Sequence, residues 1–376
     1  MQKTEQGGVD AAPISPQPSR VTALQTARPS GRDRYVGASL PAQLVIGPSA
    51  HGVVEYARDV SAAVTALLGR STVVAARNVI EAEHLARHGS GVHVHVADRI
   101  FGASSDASAE AIERIAGAGA VTVTLHDLPQ PSDGPVNFPR RTAAYRRIAL
   151  AARGVVVSSA HEARLFADVV GPGVATPAVI PLGTRIRRCP LAAPNPSQWT
   201  RDVVIAGYFY PGKGHEEVIA ALARLASTGA TETLTGLGAI SPGHEGEYQQ
   251  LVAAASAAGI QFAMSGYLDR AEYDRRLATV GVPVAAHTHL SASRSILDWI
   301  EAGRRPLVID TAYAREVAEL RPGVLWLYDE HSLVEVLAAA SSDAEATRLA
   351  PGTDLGFSLA DAAETYLHWW ANEVAW

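Results

Sequence analysis

The stretch Val203-Val-Ile-Ala-Gly-Tyr-Phe-Tyr-Pro-Gly-Lys-Gly214 decides the fold. An apolar run, Val203–Ala206, ends at a loop punctuated by Gly207, Gly212 and Gly214, and the helical pattern His215–Ser227 follows. A strand, a glycine loop and a helix start place N–H groups and the positive end of a helix dipole together. Lys213 adds a cation at the same point. This is the local build of an anion site.

The same alternation extends in both directions. Short apolar runs at Leu44–Ile46, Thr72–Ala76, Val92–Val96, Ala120–Leu125, Val155–Val157 and Ala178–Ile180 read as strands. Helical patterns over Val53–Leu68, Ile80–Arg87, Ser108–Ala116, Pro139–Ala152 and Ala160–Val169 separate them. After 203 come strands at Glu232–Thr235, Gln261–Met264, Gly281–Ala286, Pro306–Ile309 and Val324–Tyr328. Helices are expected at Tyr248–Ala258, Arg270–Leu277, Ile296–Gly303 and Leu359–Trp376. Strands alternating with helices predict parallel, doubly wound sheets. Arg185–Thr200 carries three prolines and no periodicity, and reads as the linker between two such domains. The division expected is a disordered tail over 1–40, a first domain over 41–190, a second over 191–355 and a C-terminal helix over 356–376.

Bulk properties agree. A chain of 376 residues suits two domains, and 47% hydrophobic residues supply a large core. The net charge of −6 argues against a nucleic-acid partner. Cys189 is the only cysteine, so no internal disulfide forms and a reducing cytoplasm fits. No apolar run reaches the ~18 residues that a spanning helix needs. The first 34 residues lack the apolar core of a secretory signal.

A second segment follows about eighty residues after the first: Ser293-Arg-Ser-Ile-Leu-Asp-Trp-Ile-Glu-Ala-Gly-Arg-Arg-Pro-Leu-Val308. Together the two segments resemble the donor half of retaining glycosyltransferases with the GT-B fold, the family 4 type (glycosyl transferases group 1). The resemblance implies two facing Rossmann-like domains with a cleft between them. It also implies transfer of a hexose from a nucleotide diphosphate-sugar to a hydroxyl with retention, and no metal or organic cofactor. The family's loop reads Gly-Arg-x-x-x-x-Lys-Gly, and here Lys213 and the glycines match while Tyr208 stands in place of the arginine. The family's second motif reads Glu-Gly-Phe-Gly-x-x-x-x-Glu. Glu301 matches its second glutamate, a ribose acceptor, whereas Ser293 replaces the first and Arg294-Ser295-Ile296 replaces the glycines that receive phosphate. Arg294 is expected to return the positive charge that Tyr208 lacks.

Other candidates come from the first domain. By the resemblance, His126, after the fourth strand, contacts the sugar and supports catalysis, as a neutral imidazole can. Gly52 at a helix start permits close approach to the donor diphosphate. His51 and Glu55 face either the acceptor or solvent. Asp98 and Arg99, at a strand end, are expected at the acceptor. The loop Gly47–Gly52 is not a Gly-x-Gly-x-x-Gly fingerprint, which disfavours a nicotinamide cofactor. His93/His95 and His287/His289 form i, i+2 pairs, which fall short of the three or four converging ligands of a metal site. Arg140, Arg141, Arg146, Arg147 and Arg153 read as a solvated basic face, the alternative being contact with an anionic acceptor or the inner face of a membrane. The C-terminal helix either braces the first domain, as in the resembled family, or is an ordinary edge helix.

The expected partners are therefore a nucleotide-sugar donor and a saccharide or lipid-linked hydroxyl acceptor. The departures from the motifs leave room for a second class of function, a degenerate binding or partner subunit of the same fold. An epimerase would need acid-base carboxylates around the sugar, and no such set is evident.

Overall fold

The computed structural model describes residues 35, 37–49, 51–98, 100–191, 200, 202–226, 233–287 and 291–376. In the first half, strands β1 (Ala42–Val45), β2 (Val73–Ala75), β3 (Val92–Val96), β4 (Val121–Leu125), β5 (Gly154–Val157) and β6 (Ala178–Val179) form one parallel sheet. Its order is β2-β1-β3-β4-β5-β6. Helices α1 (Gly52–Leu68), α2 (Val79–His88), α3 (Ser105–Ala118), α4 (Gly134–Ala151) and α5 (Ala160–Val170) connect these strands. Every residue of β3 and β4 is buried, as expected for central strands covered on both faces.

The second half repeats the plan. Strands β7 (Val203–Ala206), β8 (Thr233–Leu237), β9 (Gln261–Met264), β10 (Val282–Ala285), β11 (Leu307–Ile309) and β12 (Trp326–Tyr328) are all parallel. Their order is β12-β11-β10-β7-β8-β9. The helices are α6 (His215–Ala226), α7 (Glu245–Ala257), α8 (Arg270–Thr279), α9 (Arg294–Glu301), α10 (Ala312–Leu320), α11 (Leu333–Ser342) and α12 (Leu359–Asn372). The sequence reading has no counterpart for α10 and α11. Strand order reverses beside β1 in the first sheet and beside β7 in the second. Ligands of open α/β sheets bind at the strand C-terminal ends at such switch points.

The C-terminal segment joins the halves in two ways. After β6 the chain pairs with the segment before α12: Leu355 donates to the Arg187 carbonyl (2.8 Å) and Cys189 to that of Thr353 (2.9 Å). Helix α12 lies along α1 of the first half. The Tyr366 hydroxyl reaches Thr124 Oγ1 at 2.8 Å, and Trp369 and Trp370 pack beside His93. A Cβ at Gly154 would come within 2.7 Å of the Trp369 ring, so glycine makes the room. The ordered first domain begins before the expected boundary at 41. Leu40 is buried, and its carbonyl accepts from Ser90 Oγ (2.7 Å). The earlier part of the expected tail, through 34, lies outside the described residues, as do Arg99, His289 and 192–199 of the expected linker.

Candidate active site

The C-terminal ends of the two sheets face each other across a cleft of about 990 Å³. Its second-domain wall starts with the loop after β7. Gly214 lets this loop touch the neighbouring strand end. Its φ is +98°, and a Cβ there would lie 2.3 Å from the Ala286 carbonyl oxygen. Lys213 is thereby drawn in to 5% exposure. Its Nζ lies 2.5 Å from His287 Nε2, 3.3 Å from Ser295 Oγ and 5.7 Å from the centre of the Tyr210 ring. No carboxylate among the described residues forms an ion pair with it. Burial pushes the ammonium down to about 7, against a small opposing pull from Asp298. Burial, then the nearby Lys213 and His215, holds His287 well below its ordinary range. Tyr208 lines the same wall and is 39% exposed.

Helix α9 supplies the next wall. Ser293 caps it: its Oγ accepts from the Ile296 N–H and lies 3.0 Å from Ser295 Oγ. Ser293, Arg294 and Ser295 line the cleft. Ile296 does not; it is fully buried and its N–H is used by the cap, so it offers no phosphate contact. The Arg294 guanidinium is engaged. It donates to Asp298 Oδ1 (3.1 Å), to Glu301 and to the Gly183 carbonyl (3.3 Å). Those two carboxylates outweigh burial and hold it charged. Arg294 thus arrives with its charge already balanced, unlike the expected substitute for the missing arginine.

Glu301 differs from expectation for the same reason. Its carboxylate takes the Arg185 backbone N–H (2.7 Å) and Arg294 Nη2, and it is not in the cleft wall. The α9 carboxylate that does line the cleft is Asp298, which sequence reasoning missed. Arg185 Nη1 (3.1 Å), Arg270 Nη1 (3.3 Å), Arg294 Nε (3.1 Å) and the Tyr273 hydroxyl (3.5 Å) converge on it. Arg185 also reaches Glu55 (2.8 Å) and Asp59 (2.7 Å) of α1, so the network ties the two domains together.

The first-domain wall is acidic. His51 caps α1, its Nδ1 accepting from the Val53 N–H (3.3 Å), which leaves the neutral ring's proton on Nε2. His51, Gly52 and Glu55 all line the cleft. His126 does not. It lies beneath, its Nε2 3.0 Å from His95 Nδ1 and its ring stacked on His95, and burial holds it down to about 3. Its neighbour Asp127, held at φ +54°, lines the cleft instead. Arg141 supports it with a bond to the Asp127 carbonyl (2.6 Å). The same arginine also binds Asp98 (2.7 Å) and Asp133, so Asp98 serves this cluster and is not in the cleft wall. Arg141 itself is buried rather than on a solvated face. Elsewhere on α4, Arg147 pairs with Glu113 (2.7 Å) and Arg140 with Asp106 (3.7 Å). Among the described residues no helix is long and apolar enough to cross a membrane.

Chemically, the cleft offers a buried amine without an ion-pair partner among the described residues at the second sheet's switch point, with Asp298 on the same side and carboxylates on the opposite wall. That arrangement suits an anion at Lys213 and hydroxyl-bearing groups around Asp298 and Asp127.

No protein-family model and no curated protein matches the sequence. Solved structures do. HepE of Anabaena in complex with UDP and glucose is similar with a TM-score of 0.60 and 14% identity, over 86% of this chain and 93% of that one. An alpha-glucosyltransferase in complex with UDP gives 0.55 and 12%, over 86% and 94%. Sucrose-phosphate synthase from Thermosynechococcus elongatus gives 0.52 and 15%, over 75% and 69%. At these identities the likeness is one of architecture, and with the two six-stranded parallel sheets it establishes that this chain has the GT-B fold.

Proposed function

We propose that the chain transfers a hexose from a nucleotide diphosphate-sugar to an acceptor hydroxyl, with retention at the anomeric carbon. The observation that carries this reading is Lys213: a buried amine with no carboxylate partner among the described residues, facing a cleft at a switch point. The UDP and glucose bound to HepE, and the UDP bound to the alpha-glucosyltransferase, support a uridine donor. Lys213 would balance the charge gained by the leaving diphosphate, the kind of interaction that contributes most to such catalysis. Asp298 would accept from ribose hydroxyls, and Asp127 and His51 would face the sugar and the acceptor. In the front-face course implied by the resemblance, the bond from the anomeric carbon to the phosphate oxygen breaks as the acceptor oxygen attaches on the same face. The freed phosphate oxygen takes the acceptor's proton. No metal or organic cofactor enters this reading.

A second reading is a nucleotide-sugar-binding protein without turnover. It is favoured by one observation, the mutual engagement of Arg294 and Glu301, which withdraws two motif positions from the donor. Calorimetry with UDP, GDP and ADP tests both: the transferase reading expects one diphosphate to bind with micromolar affinity, and binding of none would sink both. Nucleotide sugars that bind yet are neither hydrolysed nor transferred would favour the second.

A further inference from the structure

Of the 32 Lys and Arg residues, only two are lysines, Lys3 and Lys213. Arginine stays charged in proteins, whereas a buried lysine readily gives up its proton. Among the described residues, position 213 is therefore the one place where the chain sets a lysine rather than an arginine, an amine that can give up its proton. That group sits at the junction of β7 and β10, with His287 reaching it from the β10 end. The other titratable groups facing it are His215 at the start of α6, Tyr210 from the loop and Asp298 from α9. The imidazole of His287 is buried and uncharged, so its Nε2 accepts from the ammonium only when its own proton is on Nδ1.

We propose that Lys213 and His287 form a proton-linked anion receptor: His287 positions the amine toward the cleft, and the amine gains a proton from solvent as the diphosphate binds. The proposal rests on the donor reading for the identity of the anion. It makes His287 a positioning residue, acting through Lys213. The sign follows from burial. Below about pH 7 the free lysine is already charged and binding takes up no proton. Above it, the affinity for a diphosphate falls by about tenfold per pH unit until the raised value of the complex is reached.

Protein labelled with 13Cε-lysine tests this, because the full chain gives only two lysine signals and Lys3 serves as internal reference. The Lys213 signal is expected to titrate near pH 7 in the free protein and about two units higher or more with saturating UDP. Calorimetry at pH 8, in buffers of different ionisation heat, is expected to read nearly one proton taken up per UDP. His287→Leu should move the free midpoint down by about one unit, the loss of one charge-assisted hydrogen bond. His287→Gln, which still accepts, should leave it near the wild-type value. A free midpoint in the ordinary lysine range, or one that His287→Leu leaves in place, overturns the proposal. If no nucleotide binds, inorganic pyrophosphate replaces it. A midpoint raised by pyrophosphate then supports the receptor while the donor reading fails, and an unmoved midpoint overturns the receptor as well.

Discussion

Arg185 and Asp298 meet across the domain junction with Nη1 3.1 Å from Oδ1 and side-chain exposures of 22% and 8%. At that distance, with an effective dielectric of about 20, the gross attraction is roughly 5 kcal/mol. Each partner keeps other company when the pair is broken. Arg185 retains Glu55 and Asp59, and Asp298 retains Arg270 and Arg294. The coupling left for this pair alone is therefore about 1–2 kcal/mol, above an exposed ion pair and below an isolated buried one. A double-mutant cycle of Arg185→Met and Asp298→Asn, followed by urea unfolding through its first transition, measures it. A coupling below about 0.3 kcal/mol would refute the view that this network fastens the domains. Asp298→Asn alone should also weaken UDP binding about tenfold, because the ribose loses a charged acceptor.

Three further outcomes are expected. Tyr208→Arg puts the arginine of the resembled family's loop on an exposed cleft residue, so the UDP dissociation constant should fall by about 3- to 30-fold; an unchanged value would show that position 208 does not face the diphosphate. Gly214→Ala sets a Cβ against the Ala286 carbonyl at a φ of +98°, and should lower the melting temperature and weaken UDP binding together, the first by a ΔΔG of about 2 kcal/mol or more. Glu162 is fully buried and its carboxyl is pushed up, chiefly by burial, from the ordinary 4.5 to about 8. The folded state thus holds a proton that the unfolded chain releases, so stability is full below pH 4.5 and is lost as pH rises through 8. Glu162→Gln should flatten the decline of the urea midpoint between pH 6 and pH 9, and an equal decline in both proteins would contradict this.

The fold was legible because its signals are local. Val92–Val96 and Gln261–Met264 coincide with β3 and β9, since each is a short run bounded by turn residues. Helices α10 and α11 are the omissions. Thr311 does cap α10, but both helices occupy brief spans between and after the short strands β11 and β12, the latter at the sheet edge. Lys213 was legible for the same local reason, a glycine loop running into a helix. Asp298, Arg270 and His287 gain their roles only from residues brought together by the fold. Arg141 shows the limit most plainly. On its helix it resembles its exposed neighbour Arg140, and only the convergence of Asp98, Asp127 and Asp133 buries it. His126 failed in the opposite direction: its place after β4 is as expected, but the ring turns inward onto His95 and leaves the cleft to Asp127.

The most direct test of the account is release of UDP from UDP-hexoses by wild type and by Lys213→Ala, both checked for folding by their urea transitions. Wild type should turn over at least one such donor, and the variant should lose about a hundredfold or more in kcat/KM as the leaving diphosphate loses its cation. Turnover that survives Lys213→Ala unchanged would contradict the placement of the donor diphosphate at this loop.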